Sequence, residues 1–154
     1  MMTRQKEFKK FCRELFQFLE KEYYCSVTIQ EDYLGVFITY QNKSTAVRVS
    51  YENREGGVFV LFSKLIGGKV SQYPVFLKPE TRIYSFYLDD IVSSQSSAEA
   101  NKQKAHNENE STELFNKLYY YSIMTKKYAN NILLGDFNIF LKLEAIVKKR
   151  AGII

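Results

Sequence analysis

The chain is poor in the residue types that most protein chemistry uses. It has one histidine, His106, two cysteines, Cys12 and Cys25, two prolines and no tryptophan in 154 residues. One histidine and two well-separated cysteines cannot supply the Cys/His spacing of a zinc site. Two cysteines in a chain this long do not form a disulfide framework. Cys12 falls on the apolar side of an expected helix and Cys25 opens an expected strand, so both read as small buried apolar residues. His106 lies in a polar run with no ordered neighbours in sequence to hold a general base in place. None of the GxSxG, GxGxxG and GxxxxGK[ST] patterns occurs. Gly67-Gly68-Lys69 comes nearest to a phosphate-binding turn, but it lacks the glycine spacing and the Ser/Thr, and reads as a turn that ends a strand. No catalytic site, cofactor or metal is therefore expected.

Long apolar runs are missing too. No stretch approaches the 18 apolar residues of a membrane-spanning helix. The segment MMTRQKEFKKF lacks the apolar core of a signal peptide. The expectation is a cytoplasmic protein with no membrane partner. Acidic pairs are present at Glu31-Asp32, Glu52 with Glu55, and Asp89-Asp90. Adjacent residues on a strand point to opposite faces, so these do not make paired acid–base groups, and Asp89-Asp90 reads as a turn cap.

What the chain does have is aromatic and basic. It carries 12 Tyr and 12 Phe, with 45% apolar and 25% charged residues. That is a globular composition, and the length fits one domain, 1–154, able to hold its own core. The net charge of +5 is concentrated late: residues 114–154 hold seven basic and two acidic groups. Lys126, Lys127, Lys148, Lys149 and Arg150 dominate this excess.

The hydrophobic period sets the architecture. Phe8, Phe11, Cys12, Leu15, Phe18 and Leu19 recur at spacings of three and four, which predicts one amphipathic helix over about 4–22. The period then falls to two. Strands are expected at 24–31, 34–40, 45–52 and 58–65, joined by hairpin turns at 41–44 and 53–57. In the third, Val47, Val49 and Tyr51 point one way and Arg48, Ser50 and Glu52 the other. Pro74 and Pro79 mark irregular chain, and 82–88 is a candidate fifth strand. Residues 93–112 contain no large apolar side chain and read as a flexible polar loop within the domain. A helix over about 112–134 follows, ended by Gly135 in a left-handed conformation. Asp136 is placed to cap a last helix over about 137–150. The expected fold is α+β: an N-terminal helix, an antiparallel meander of four to five strands, and two C-terminal helices packed on one face, leaving the other face to solvent.

Function then rests on surfaces. The open sheet face carries Arg48 and Glu52, with Tyr40 and Tyr51 near its edge, a composition that interface hot spots favour. These four are the candidate partner-binding residues. The alternative is a nucleic-acid-associated accessory protein that contacts phosphates through Lys126, Lys127, Lys148, Lys149 and Arg150. Tyr119-Tyr120-Tyr121 share a helix with two of these lysines, but three consecutive helical residues spread around the axis and form no single stacking platform.

The stretch YANNILLGDFNIFLKLEAIVKKRAG, Tyr128–Gly152, carries a resemblance. Its core is Ile132-Leu133-Leu134-Gly135-Asp136-Phe137, then Phe140 and Leu143-Glu144. It resembles the tail of small bacterial proteins of the immunity type, some of them encoded beside toxins of polymorphic or contact-dependent systems. The resemblance covers about 25 residues, and beyond them only the helix–meander–helix layout. It implies a non-catalytic module that binds and neutralises a cognate toxin domain, and it transfers no functional residues. Immunity proteins against nucleases are often acidic mimics of the substrate. A basic chain of this type implies a neutral or acidic toxin domain, or inhibition by steric cover.

Overall fold

The computed structural model describes residues 3–54, 56–96 and 110–154. His106 and Glu55 lie outside the described residues, as do 97–109 of the expected polar loop.

Thr3 caps the first helix, its side chain accepting from the backbone N–H of Lys6 at 3.2 Å. The helical period of 4–22 is realised as two pieces, α1 (Arg4–Leu15) and α2 (Gln17–Glu22). The chain leaves helical geometry at Phe16, with φ −103° and ψ 11°. There the Leu19 N–H bonds the Phe16 carbonyl, one residue tighter than an α-helix. The bend turns Phe16, Phe18 and Leu19 all into the core.

Four strands follow as an antiparallel meander: β1 (Ser26–Asp32), β2 (Gly35–Gln41), β3 (Thr45–Glu52) and β4 (Gly57–Ile66). All four lie within two residues of their expected bounds. Gly35 is obligatory at the β1–β2 turn. Its φ is +154°, and a Cβ there would sit 2.0 Å from the Tyr51 carbonyl oxygen. Gly67 and Gly68 end β4 in a left-handed turn, as expected, and a two-residue β5 (Lys69–Val70) folds back on Leu65 and Ile66. The expected fifth strand contracts to β6 (Ser85–Tyr87), which pairs β4 on the edge away from β3, at Leu61, Phe62 and Ser63. The sheet order is β1-β2-β3-β4-β5, with β6 also paired to β4.

Helix α3 (Leu88–Gln95) starts straight after β6 and takes up the first residues of the expected polar loop. The helix expected over 112–134 is α4 (Glu110–Tyr128) and a single turn α5 (Asn130–Leu133), separated at Ala129, where φ is −112° and ψ 8°. Gly135, at φ +94°, ends α5 as predicted. The last helix, α6 (Phe140–Arg150), begins three residues later than expected. Asp136 is not its N-cap. Its carboxylate accepts from the Asn138 N–H at 3.0 Å and holds the turn before the helix. The fold is thus α+β, with an N-terminal helical segment, an antiparallel sheet and later helices.

One apolar core joins these elements. It includes Phe8 and Cys12 of α1, Val36, Ile38 and Tyr40 of β2, Val47 and Val49 of β3, Leu118 of α4 and Leu143 of α6. A polar knot ties the parts at the β2–β3 turn. Asn42 Oδ1 accepts from the N–H groups of Ser44 and Thr45, both at 2.9 Å. Its Nδ2 donates to the carbonyls of Tyr23, at 3.2 Å, and Leu133, at 3.1 Å. The Thr45 hydroxyl adds a 2.8 Å bond to the Ile132 carbonyl. One asparagine thereby fixes the hairpin, the entry to β1 and the α5 turn relative to one another.

Candidate functional site

Strand register sorts the sheet into two faces. On the core side the rows are Val27–Tyr40–Val47–Phe62 and Ile29–Ile38–Val49–Val60. On the outer side they are Thr28–Thr39–Arg48–Leu61–Tyr87 and Gln30–Phe37–Ser50–Phe59. The outer side is not the plain polar face that alternation predicts. Phe37, Phe59 and Leu61 are half-buried there and Tyr87 is exposed. Arg48 lays its guanidinium 5.4 Å from the centre of the Phe37 ring, a cation–π arrangement. The Phe59 and Tyr87 rings lie 6.2 Å apart.

Beside Arg48 the surface dips into a groove of about 580 Å³, lined by Asp32, Phe37, Thr39, Glu52 and Arg54 among others. Its lining mixes the apolar Leu34 and Phe37 with charged side chains of both signs.

The four residues singled out for partner binding separate on this geometry. Arg48 and Glu52 line the groove. Tyr40 does not belong to the surface: it has no solvent exposure, and the expectation is corrected. It shares parity with Val36 and Ile38, so its ring fills the core. Its hydroxyl donates to the Cys12 carbonyl at 3.5 Å and lies 3.7 Å from the Cys12 sulfur. Burial raises the phenol far above its ordinary range and pushes the Cys12 thiol up to about 12. Tyr51 is likewise on the core side, its ring 5.9 Å from that of Phe8. The residues that sequence reading passed over are Phe37, Phe59 and Leu61. Each is an apolar residue in the outward parity of its strand, and that parity was the available signal.

The basic cluster divides: Lys148 is buried and Arg150 is ion-paired, while Lys126, Lys127 and Lys149 are exposed. Lys148 is 4% exposed; its ammonium donates to the Pro79 carbonyl at 2.7 Å and pairs with Glu144 at 3.3 Å. It cannot face a phosphate, which corrects its place in the candidate set. Helical position explains the burial: it follows Val147 on the side of α6 that meets the 78–83 loop, where Glu144 also accepts from the Ile83 N–H at 2.8 Å. Arg150 grips Asp90 through two bonds of 2.7 and 3.1 Å. Lys126 sits 4.7 Å from the centre of the Phe18 ring and Lys127 5.4 Å from that of Tyr128. Lys149 is exposed.

Two of the three acidic pairs, Glu31-Asp32 and Asp89-Asp90, have structural partners. Glu31 pairs with Lys9 at 2.8 Å, Asp32 accepts from the Leu34 N–H, and Asp89 accepts from the Tyr121 hydroxyl at 3.3 Å. Among the described residues no three His, Cys, Asp or Glu side chains gather as metal ligands, and no helix is long and apolar enough to cross a membrane. No family model matches the chain, and neither a curated protein nor a solved structure shows similarity to it.

Proposed function

We propose that the chain is a non-catalytic protein-binding module that docks a partner domain on the outer face of its sheet. The observation that carries this reading is the pair of neighbouring outward rows that hold Phe37, Arg48, Phe59, Leu61 and Tyr87, beside a groove lined by Asp32, Glu52 and Arg54. An aromatic and arginine centre with a mixed-charge rim is what concentrated binding energy needs. The Tyr128–Gly152 tail adds the kind of partner: a toxin domain, neutral or acidic, that the chain neutralises in the manner of an immunity protein.

The test is co-expression with the C-terminal domain encoded beside this chain, followed by capture on one affinity tag. A complex that survives about 0.5 M salt, where charges are screened within a few Å, supports the reading. Arg48→Glu and Phe59→Ala must then each weaken it at least tenfold. If the cells die on expression of that domain whether or not this chain is present, and no complex forms, the proposal fails. The nucleic-acid reading is the weaker one, since Lys148 and Arg150 are spent on Glu144, Pro79 and Asp90. Salt-sensitive binding to an oligonucleotide, lost on reversing Lys126, Lys127 and Lys149, is the result that would revive it.

A further inference from the structure

The sheet ends at β1, and it ends without cover. Among the described residues no strand pairs with β1 on the side away from β2. The core row Val60–Val49–Ile38 runs buried across three strands and then emerges at Ile29, which is 43% exposed. Of the usual guards of an open edge the strand has only the acidic pair Glu31-Asp32 at one end, and Glu31 is already paired with Lys9 at 2.8 Å. It contains no proline and no lysine. Two residues before it and directly after it stand more exposed apolar side chains: Tyr24 at 86%, Tyr33 at 87% and Leu34 at 52%.

These features are complementary to themselves. Two copies of β1 paired antiparallel over the whole of Ser26–Asp32 place Ile29 opposite Ile29. In that register Thr28 meets Gln30, Val27 meets Glu31, and Ser26 meets Asp32. The acidic end of one strand therefore lies against the uncharged end of the other, and no like charges oppose one another. The same register brings Tyr24 of one copy to Leu34 of the other, at both ends. Space permits it: β2 and its counterpart would be three strand spacings apart, about 14 Å, which exceeds the roughly 8–10 Å at which helices pack. The α1 helices, which rest over β2 and β3, do not collide.

We infer that the chain forms a two-fold dimer by antiparallel pairing of its β1 edges, with Ile29 on the axis. The occupant of the open edge is a second copy of this chain. The interface is isologous and closes on itself, and it removes the edge that would otherwise recruit strands without limit.

Sedimentation equilibrium on the isolated full chain tests this. The expected mass is twice 18.1 kDa, with concentration-dependent dissociation. Ile29→Lys, which puts a charge on the axis twice over, must shift the chain to monomer while its circular dichroism stays that of the wild type. Ile29→Cys must give a dimer cross-linked through that position on mild oxidation or with a short bis-maleimide, whereas Thr39→Cys, one strand inside the sheet, must not. A wild-type chain that stays at 18.1 kDa at every concentration overturns the proposal, as does a dimer that Ile29→Lys leaves intact. A monomeric chain whose partner complex is lost in Ile29→Lys also overturns it, and assigns the edge to a strand of the partner. Because mass is measured without any partner, failure here leaves the sheet-face reading standing.

Discussion

Replacing Asn42 should cost more than its half-exposed position suggests. Its side chain makes four bonds to backbone groups in three different segments. At about 0.5–1.5 kcal/mol each, less what water recovers at a half-buried site, Asn42→Ala should lose about 2–3 kcal/mol. In a chain of this size that lowers Tm by about 5–10 °C. Asn42→Asp separates the contributions. The carboxylate still accepts from Ser44 and Thr45, but it faces the Tyr23 and Leu133 carbonyls with no proton to give. Asn42→Asp should therefore lose the two bonds to Tyr23 and Leu133 while keeping the two to Ser44 and Thr45. Urea denaturation of both variants at neutral pH reads the two sets apart. An alanine variant within about 0.5 kcal/mol of wild type, a typical value for an inert surface position, would refute the knot.

Other substitutions probe the remaining joints. Gly35→Ala sets a methyl into the Tyr51 carbonyl and should cost more than about 2 kcal/mol, while Gly135→Ala, whose nearest neighbour is the movable Ser44 side chain at 3.4 Å, should cost about 1–2; thermal melts rank them. Glu144→Ala strands the buried Lys148 ammonium and should cost about 3 kcal/mol, whereas Lys148→Met should be much milder because it removes the charge itself. Both thiols are buried, with Cys12 pushed up to about 12 and Cys25 to about 11, so a thiol reagent at pH 8 should titrate neither until the chain is unfolded.

The parts of the fold legible in the sequence were those where one period ran undisturbed. The alternation in Thr45–Glu52 gave β3 to the residue, and Gly135 announced the end of α5. What misled was a break that hydrophobic period alone does not mark. Phe16 and Ala129 carry no helix-breaking chemistry, yet the chain leaves α geometry at both, because packing Phe16 and Phe18 on one core and seating Ile132 under Thr45 is worth more than an unbroken helix. The site failed for a related reason. Tyr40 and Lys148 look like surface residues by type, and parity and helical position put both inside. The outward Phe37 and Phe59 look like core by type, and parity puts them on the groove side.

The two surfaces constrain each other. Antiparallel pairing of edge strands keeps the outer faces of both copies on the same side of one continuous sheet, because the two-fold axis stands perpendicular to it. Each Arg48–Phe37 groove then lies near the axis, only two strands from β1. A partner domain of ordinary footprint, about 800 Å² per side, would reach close to its twin. Two partners on one dimer should therefore interact, either crowding, so that the second binds more weakly than the first, or touching, so that it binds more tightly. The monomeric Ile29→Lys chain should bind one partner with a single affinity. Calorimetric titration of both proteins decides it. Two distinguishable binding events for wild type and one for Ile29→Lys are expected, and identical isotherms would mean that the groove and the edge do not share a face.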